Sequence, residues 1–313
     1  MDMKESAVSV LKNCMDAKAG ESVLIVTDNI KLKIGMALYE AAVEIGCEAM
    51  LMLMEEREVS GAEPPKAVAE AMRNSDIVIC PTAKSLTHTN ARINAVKNNA
   101  RVGTMPGITE DMFLKGAITA DFARVEEITK KLADMLSEAK TARIEKNGLV
   151  LTLGLEGRNG VPSPGVYKTP GTGGNLPSGE AYIAPIETMA EGETIIDGSM
   201  VGIGKLEEPL YVKMKDGKLT KIEGKHSEKL DILFRNENNG TIAELGIGTN
   251  EKAILCGVIL EDEKVYGTVH IAFGTNTSFG GVNKADCHMD GIILKPDLYL
   301  DDKAVIIAGE FVI

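Results

Sequence analysis

The sequence predicts an α/β fold in which a parallel sheet covered by helices is followed by a β-rich part. Helical and strand-like periods alternate over residues 1–139, which is typical of parallel strands joined by helices. From residue 140 onward, short apolar runs flank tight-turn sequences, which is typical of antiparallel hairpins. We therefore expect two domains, an α/β scaffold over residues 1–139 and a β-rich domain over residues 140–313.

The elements of the first domain follow from apolar periodicity. Helices are expected at 7–14, 38–45, 67–72, 89–96 and 122–138, and strands at 22–27, 49–54, 76–81 and 101–104. Gly46 is expected to end the second helix in a left-handed conformation, and Thr89-Asn90 to cap the fourth. No glycine fingerprint and no P-loop follows the first strand, so neither dinucleotide nor triphosphate binding is expected.

In the second domain, two dipeptides mark tight turns between strand-like runs. Asn147-Gly148 joins residues 141–145 to 149–153, and Asp216-Gly217 joins residues 210–214 to 219–222. Asn-Gly and Asp-Gly readily adopt the positive φ values of two-residue hairpin turns. Both segments are therefore predicted to be β-hairpins.

Composition excludes several classes of function. The chain of 313 residues carries a formal net charge of −12, which argues against nucleic acid or an anionic membrane as a partner. No apolar run reaches the roughly 18 residues that span a bilayer, and the amino terminus lacks the features of a signal peptide. The five cysteines form no C-x-x-C pair and are expected to be reduced thiols. A cytoplasmic location is the expectation.

The stretch from His270 to Asp290 contains two of the four histidines and three glycines. His288 and Asp290 are two residues apart, so on a strand they point to the same face and can hold one ion together. A connection through Gly280-Gly281 could fold back and bring His270 beside them. A lone strand histidine is more often structural, so the prediction depends on the whole set.

Two glutamates extend this set. Glu180 follows a turn sequence at the start of an apolar run, and Glu244 lies between Ala243 and Leu245. A carboxylate among apolar neighbours is costly to bury unless it is paired or binds a cation, although each glutamate alone could be structural or solvated. Three carboxylates and two imidazoles suit Zn²⁺, Mn²⁺, Co²⁺ or Fe²⁺. Two ions that share a carboxylate would use all five ligands and could activate a water.

Four motifs carry a resemblance to a known family. They are Asn-Leu-Pro-Ser-Gly-Glu at 175–180, Glu-Leu-Gly-Ile-Gly at 244–248, His-Ile-Ala-Phe-Gly at 270–274 and His-Met-Asp at 288–290. Their order resembles that of the aminopeptidase T/aminopeptidase S family of two-metal exopeptidases. The resemblance implies a homodimer with the following metal ligands: Glu180, Glu244, His270, His288 and Asp290.

The chain also departs from that family. Thr277 stands where the family has a catalytic tyrosine, and Glu263 lies two residues too far upstream of the first histidine. The chain is short for such a peptidase. Its His-Ile-Ala-Phe-Gly-Thr-Asn and Phe-Gly-Gly segments are similar to the iron-dependent 2,5-dihydroxypyridine ring-opening dioxygenases, which share the fold.

The leading hypothesis from the sequence is a metal-dependent hydrolase, a leucyl aminopeptidase-like enzyme that cleaves N-terminal residues from small peptides. One or two divalent ions would lower the pKa of a bound water, and Glu180 or Glu244 would transfer the proton as the catalytic carboxylate. The alternative is a mononuclear Fe(II) ring-cleaving dioxygenase that uses His270, His288 and Asp290. A non-catalytic metal-binding protein is the third hypothesis.

Overall fold

The computed structural model describes all 313 residues. It divides into two compact units. Unit 1 comprises Met1–Ala123 with Gly165–Ser178, and unit 2 comprises Arg124–Pro164 with Gly179–Ile313. The two-domain division with its boundary at residues 139 and 140 stays a prediction.

The helices are α1 Met3–Ser9, α2 Leu32–Ile45, α3 Lys66–Arg73, α4 Asn90–Lys97, α5 Glu110–Leu114, α6 Phe122–Glu138 and α7 Ile259–Asp262. A π-helical segment, Val10–Cys14, follows α1, and 3-10 segments lie at Gly116–Thr119 and Ser227–Phe234. The strands of the first half are β1 Ser22–Asp28, β2 Glu48–Met54, β3 Ile77–Thr82, β4 Arg101–Pro106, β5 Thr141–Lys146, β6 Leu149–Gly154 and β7 Val161–Ser163. Those that follow are β8 Gly173–Asn175, β9 Glu180–Ile183, β10 Ala190–Ile196, β11 Ser199–Met200, β12 Gly204–Lys205, β13 Leu210–Lys215 and β14 Lys218–Glu223. The last strands are β15 Ile242–Gly248, β16 Val269–Gly274, β17 His288–Ile293, β18 Asp297–Leu300, β19 Lys303–Ile307 and β20 Glu310–Phe311.

Unit 1 is built on a five-stranded parallel sheet with the order β2-β1-β3-β4-β8. On one face, Leu24 and Val26 of β1 belong to the same buried cluster as Val68 and Met72 of α3. The predicted parallel sheet with covering helices is therefore confirmed. The strand β8 was not predicted, because its Gly-Gly-Asn sequence has no apolar pattern.

The helix ends in unit 1 follow the expected local chemistry. Gly46 terminates α2 with a φ of 92°, a left-handed conformation that favours glycine. Thr89 caps α4, because its side chain accepts a hydrogen bond from the backbone N–H of Arg92. Asp2 and Glu5 form a capping box, which explains why α1 begins at Met3, four residues earlier than predicted.

Unit 2 contains two antiparallel sheets. One has the order β14-β13-β10-β6-β5-β18-β19-β20, and the other has the order β12-β11-β17-β16-β15-β9-β7. Both predicted hairpins are confirmed, since β5 pairs with β6 and β13 pairs with β14. Asn147 and Gly148 have φ values of 53° and 80°, and Asp216 and Gly217 have values of 50° and 77°, as two-residue hairpin turns require.

The two faces of the second sheet have different compositions. Odd-numbered residues of its central strands point into the main apolar core of unit 2; they include Ile183, Leu245, Ile247, Ile271, Phe273 and Ile293. Even-numbered residues of β9, β15, β16 and β17 therefore share the opposite face, because successive side chains of a strand alternate. That face carries the acidic and imidazole side chains described below.

None of the helices is both long enough and apolar enough to cross a membrane. All five cysteines are free thiols, as the sequence predicts.

Candidate metal centre

Four adjacent strands bring all five predicted site residues to one face of the second sheet in unit 2. Glu180 begins β9, Glu244 lies on β15, His270 lies on β16, and His288 and Asp290 lie on β17. Antiparallel pairing aligns them, with Glu244 opposite Ala272 and Ala272 opposite Asp290. Residues that are about 110 positions apart in the chain, as Glu180 and Asp290 are, therefore become neighbours.

Small residues between these side chains leave space for them. Gly246, Gly248, Ala272 and Gly274 occupy the same face in β15 and β16. Gly246 lies directly opposite His270, and a Cβ atom on Gly246 would come within 2.0 Å of Nε2 of that imidazole. The ring can therefore occupy its position only because residue 246 has no side chain.

One part of the cluster pairs carboxylates with imidazoles. Nε2 of His288 lies 3.3 Å from Oε2 of Glu244 and 3.4 Å from Oδ1 of Asp290. Nε2 of His270 lies 3.4 Å from Oε1 of Glu244. We call Glu244, His288 and Asp290 the imidazole half of the cluster.

The other part pairs carboxylates with an ammonium group. Nζ of Lys264 lies 2.6 Å from Oε1 of Glu180 and also contacts Oε1 of Glu263. Nε2 of His270 lies 3.5 Å from Oε2 of Glu180. We call Glu180, Glu263 and Lys264 the lysine half; His270 lies between the two halves and contacts both.

Burial differs little within the cluster, with one exception. The side chains of Lys264 and His270 are fully buried, and those of Glu180, Glu244 and Asp290 are at most 9% exposed. His288 has 29% of its side chain exposed. The imidazole half is therefore the part of the cluster that solvent reaches.

The charges of the imidazole half support each other. Burial disfavours the ionised form of Glu244, but hydrogen bonds with His270 and His288 outweigh it and lower the pKa of Glu244 to about 2. Burial disfavours the cationic form of His270, yet Glu244 and Glu180 raise its pKa to about 9. Burial also disfavours the cationic form of His288, but Asp290 and Glu244 outweigh burial and raise the pKa of His288 well above its usual value. An environment that favours protonated imidazoles in this way also favours a metal cation.

In the lysine half, the pKa values are also set by burial and by neighbouring charges, but the cation is an ammonium group. Burial raises the pKa of Glu263 to about 8, with further repulsion from Glu180. Burial also raises the pKa of Glu180, against the attraction of Lys264. For Lys264, burial is outweighed by Glu180 and Glu263, which raise the pKa of the ammonium group. Lys264 is therefore a buried, charged lysine at neutral pH.

Two groups of side chains have the chemistry of a metal site. The potential ligand atoms of Glu244, His270 and Asp290 lie within 4.8 Å of one another, and so do those of Glu180, Glu263 and His270. Oε2 of Glu180 and Nδ1 of His270 are buried without a hydrogen-bond partner, which is unusual for polar atoms in a core. Nδ1 of His288 lies 2.8 Å from the carbonyl oxygen of Thr275. If Nδ1 donates to that oxygen, Nε2 keeps its lone pair for a metal. The cluster therefore fits a divalent cation.

The connection between β16 and β17 is held at several points. Asn276 and Asn283 bond to each other through a backbone N–H of Asn283 and the side-chain oxygen of Asn276, at 2.9 Å. Glu187 accepts from the backbone N–H of Val282 at 2.7 Å and from the Asn276 amide at 2.9 Å. Phe279 packs its ring edge-on against His288, with centroids 6.0 Å apart. The connection thus fixes the aromatic environment of His288.

Two residues of the cluster were not predicted from the sequence as part of the site. Glu263 was expected to lie two residues too far from His270, but a turn after α7 returns it to the cluster. Lys264 gave no signal, since the Glu-Asp-Glu-Lys run at 261–264 is typical of a solvated surface. Thr277 is exposed and has no phenol to offer. The metal-binding role of the five predicted residues, and proton transfer by Glu180 or Glu244, stay predictions.

Two solved structures share the α/β fold of this chain. A structure of 2,5-dihydroxypyridine dioxygenase from Pseudomonas putida KT2440 matches with a TM-score of 0.84 at 20% identity, over 99% of this chain and 96% of that chain. The wild-type AmpT structure from Thermus thermophilus matches with a TM-score of 0.73 at 15% identity, over 99% of both chains. The predicted likeness to aminopeptidase T therefore holds for the fold.

The family is more specific than the fold. The sequence model of the 2,5-dihydroxypyridine 5,6-dioxygenase family matches residues 2–313, and the chain belongs to that family. The 2,5-dihydroxypyridine 5,6-dioxygenase of Pseudomonas putida strain KT2440 is 30% identical over 164 residues, which is 47% of this chain and 47% of that relative. The aligned region thus spans about half the length of the curated relative.

These matches correct the leading hypothesis from the sequence. The prediction of a hydrolase, and with it of an aminopeptidase or metalloprotease, is wrong, because the family and the relative are named as dioxygenases. The motifs did not separate the two classes, because solved structures named as the dioxygenase and as AmpT both share the fold of this chain. The alternative, the dioxygenase, is the better supported hypothesis.

Proposed function

We propose that the chain is a mononuclear Fe(II)-dependent dioxygenase that opens a dihydroxylated pyridine ring of the 2,5-dihydroxypyridine type. Membership of the dioxygenase family supports the reaction class. The observation that carries the proposal is the group of His270, His288 and Asp290 on adjacent strands, since two imidazoles and one carboxylate are the ligand set of many non-haem Fe(II) oxygenases. The expected homodimer stays a prediction.

The two imidazoles and two of the carboxylates have defined tasks in this proposal. His270, His288 and Asp290 would hold the iron, which when bound supplies the redox centre for reaction with dioxygen. Glu244 lies 3.4 Å from Nε2 of His270 and 3.3 Å from Nε2 of His288, so its carboxylate would lie beside the iron and add negative charge to the site. The backbone carbonyl of Thr275 holds the outer nitrogen of His288 at 2.8 Å.

The proposed reaction balances with dioxygen as the only oxidant. The bond between ring carbons 5 and 6 breaks, and one oxygen atom is added to each of these carbons. Carbon 5, which carries a hydroxyl, becomes a carboxylic acid, and carbon 6 becomes a formyl group on nitrogen. The ring carbons are oxidised by four electrons in total, and both atoms of dioxygen are reduced into the product. No further reductant is needed.

The test is oxygen uptake by purified protein loaded anaerobically with Fe²⁺ and then given 2,5-dihydroxypyridine. We expect one dioxygen consumed for each ring that opens, and both atoms of ¹⁸O₂ in the product. Uptake should be lost in His270→Ala and kept in His226→Ala, which changes an exposed histidine outside the cluster. Absence of uptake by the iron-loaded protein with this and related dihydroxypyridines would refute the proposal.

A further inference from the structure

We infer that the Lys264 ammonium group takes the place of a second metal ion, so that this cluster holds one divalent cation and not two. Glu180, Glu263 and His270 place their potential ligand atoms within 4.8 Å of one another, which is a suitable arrangement for a second ion beside the first. Lys264 projects into that group. The inference rests on the proposed function, because it concerns the number of ions in the same site.

The contacts of Lys264 are those that a cation in this position would make. Its Nζ lies 2.6 Å from Oε1 of Glu180 and also contacts Oε1 of Glu263. Both carboxylates therefore use an oxygen on the ammonium group. A divalent ion at the same place would lie beside this fixed positive charge and would be repelled by it.

The three side chains that form this arrangement are largely buried from solvent. The Lys264 side chain is fully buried, and Glu180 and Glu263 are 7% and 12% exposed. A buried ammonium group is tolerated only where carboxylates neutralise it, and two buried carboxylates close together need a cation equally. Other lysine pairs in the chain are more exposed; the nearest comparison is Lys146 with Asp197, at 13% and 18% exposure. Lys146 lies outside the cluster and provides a matched control.

The two halves then divide the ligand set. Glu244, His288 and Asp290 contact no lysine or arginine within ion-pair distance, so a metal there meets no fixed positive charge. Glu180 and Glu263 share the single positive charge of Lys264. His270 borders both, and its Nε2 lies 3.4 Å from Glu244 and 3.5 Å from Glu180. One divalent ion in the imidazole half and one ammonium group in the lysine half would place a cation beside each pair of carboxylates.

The experiment counts ions. The full-length chain and its variants are stripped with a chelator, titrated with Mn²⁺ and separately with Fe²⁺ under anaerobic conditions, and analysed for metal per chain. We expect one ion in the wild type. Lys264→Ala removes the charge and opens space, and should bind two ions. Lys264→Met removes the charge but keeps most of the volume, and should bind one ion.

The number of metal ions per chain also defines the control and the results that would contradict the inference. Lys146→Ala removes a comparable ion pair elsewhere and should keep one ion. Two ions in the wild type or one ion in Lys264→Ala would each overturn the inference, whereas two ions in Lys264→Met would support it, because the charge alone would then exclude the second ion. The melting temperature adds a second measurement. Mn²⁺ should raise the melting temperature more in Lys264→Ala than in the wild type. An equal rise would contradict the replacement of the ammonium group by a second Mn²⁺ ion.

Lys264→Ala could fail to fold even with Mn²⁺, because it leaves two buried carboxylates without their cation. The double variant Lys264→Ala/Glu263→Gln removes one carboxylate together with the lysine. It should fold without added metal and bind one ion. A double variant that does not fold would show that Lys264 is needed for packing and not for charge, which would overturn the inference.

The result is separate from the outcome for the proposed function. If the wild type binds one ion and Lys264→Ala binds two, but no ring substrate drives oxygen uptake, the inference stands and the proposed reaction fails. If oxygen uptake is found with two ions per wild-type chain, the reaction stands and the inference fails.

Discussion

The imidazole half and the lysine half of the cluster are built from similar carboxylates but use different cations. In the imidazole half, Glu244 and Asp290 face histidines, whose protons a metal can replace. In the lysine half, Glu180 and Glu263 face an ammonium group that has no lone pair while it is protonated. Two carboxylates at close range therefore do not by themselves define a metal site. By our inference, the nature of their cationic neighbour decides whether a metal can enter.

The same contrast bears on the number of ions. The sequence predicts one or two ions, and the case for two counts Glu180 with the histidines. The structure places Glu180 against Lys264, so one of the five is already neutralised. The following predictions test this division, from the largest expected effect to the smallest.

His288→Ala should have the largest effect, because it removes a ligand from the imidazole half at its exposed side. We expect metal affinity to fall by at least about 100-fold, a loss at the upper end of what neighbours of metal ligands cause. The fold should persist, because 29% of this side chain is exposed. Metal content and circular dichroism measure the two outcomes. His226→Ala is the control and should retain metal. Unfolding of His288→Ala together with metal loss would show instead that the metal is required for folding.

Gly246→Ala should disturb the imidazole that lies between the halves. The added Cβ would lie 2.0 Å from Nε2 of His270, so the ring must move, and we expect metal affinity to fall by about 10-fold. Overpacking should also cost about 1–3 kcal/mol of unfolding free energy. The matched control is Gly291→Ala on β17, whose Cβ would meet Ile196 on the other face at 2.3 Å. It should lose similar stability and keep its metal; equal metal loss in both would refute a specific role for Gly246.

Glu263→Gln should affect stability and leave the metal in place. The variant replaces one of the two acidic side chains that contact Lys264 with an amide, while Glu180 remains at 2.6 Å. We expect the unfolding free energy to fall by about 1–3 kcal/mol, with metal content unchanged. Urea denaturation and metal analysis measure both. Asp197→Asn, which removes the partner of Lys146, is the control. A loss of metal in Glu263→Gln would place this glutamate among the ligands.

Glu187→Gln should have the smallest effect, because Glu187 anchors the connection before β17 and contacts neither half. Burial opposes its ionisation, but hydrogen bonds from Val282 and Asn276 and the charge of Arg158 lower its pKa below 4.5. The folded state therefore releases this proton more readily than the unfolded state. The contribution of ionised Glu187 to the free energy of unfolding is therefore fully present above a pH of about 4.5, and it is lost as the pH falls through the lowered pKa.

The expected difference in unfolding free energy between wild type and Glu187→Gln is below about 1 kcal/mol at pH 7, since solvent screens a half-buried group. It should shrink between pH 5 and pH 3, as measured by urea denaturation at each pH. The exposed Glu228→Gln is the control and should show no such trend. A difference that grows as the pH falls would have the wrong sign and contradict this account.

Much of the fold could be predicted because it depends on local sequence. Asn147-Gly148 and Asp216-Gly217 favour their turns regardless of the rest of the chain, and both hairpins form as expected. The five predicted site residues also share a recognisable alternation with small and apolar residues, as in Glu-Leu-Gly-Ile-Gly. Their convergence on one face follows from strand alternation once the strands pair.

What could not be predicted depends on contacts between distant parts of the chain. Lys264 is buried because it meets Glu180, which lies 84 positions away, and no local pattern records that contact. The strand β8 joins the sheet of unit 1 by backbone pairing alone, through two glycines and an asparagine. The two enzyme hypotheses were ranked in the wrong order for a related reason: the motifs identify a fold that solved structures of both names share.

The alternation of odd core residues and even site residues in β15, β16 and β17 constrains how this protein can change over evolutionary time. A single-residue insertion within β16 that no bulge absorbs would turn Ile271 and Phe273 toward the face of the cluster and His270 into the apolar interior. Paired insertions preserve the alternation, and an irregularity such as the register shift between Ile242 and Glu244 is the way in which a strand absorbs a single extra residue. Insertions and deletions in relatives should therefore accumulate in the connections between the strands, where side chains do not alternate between two faces.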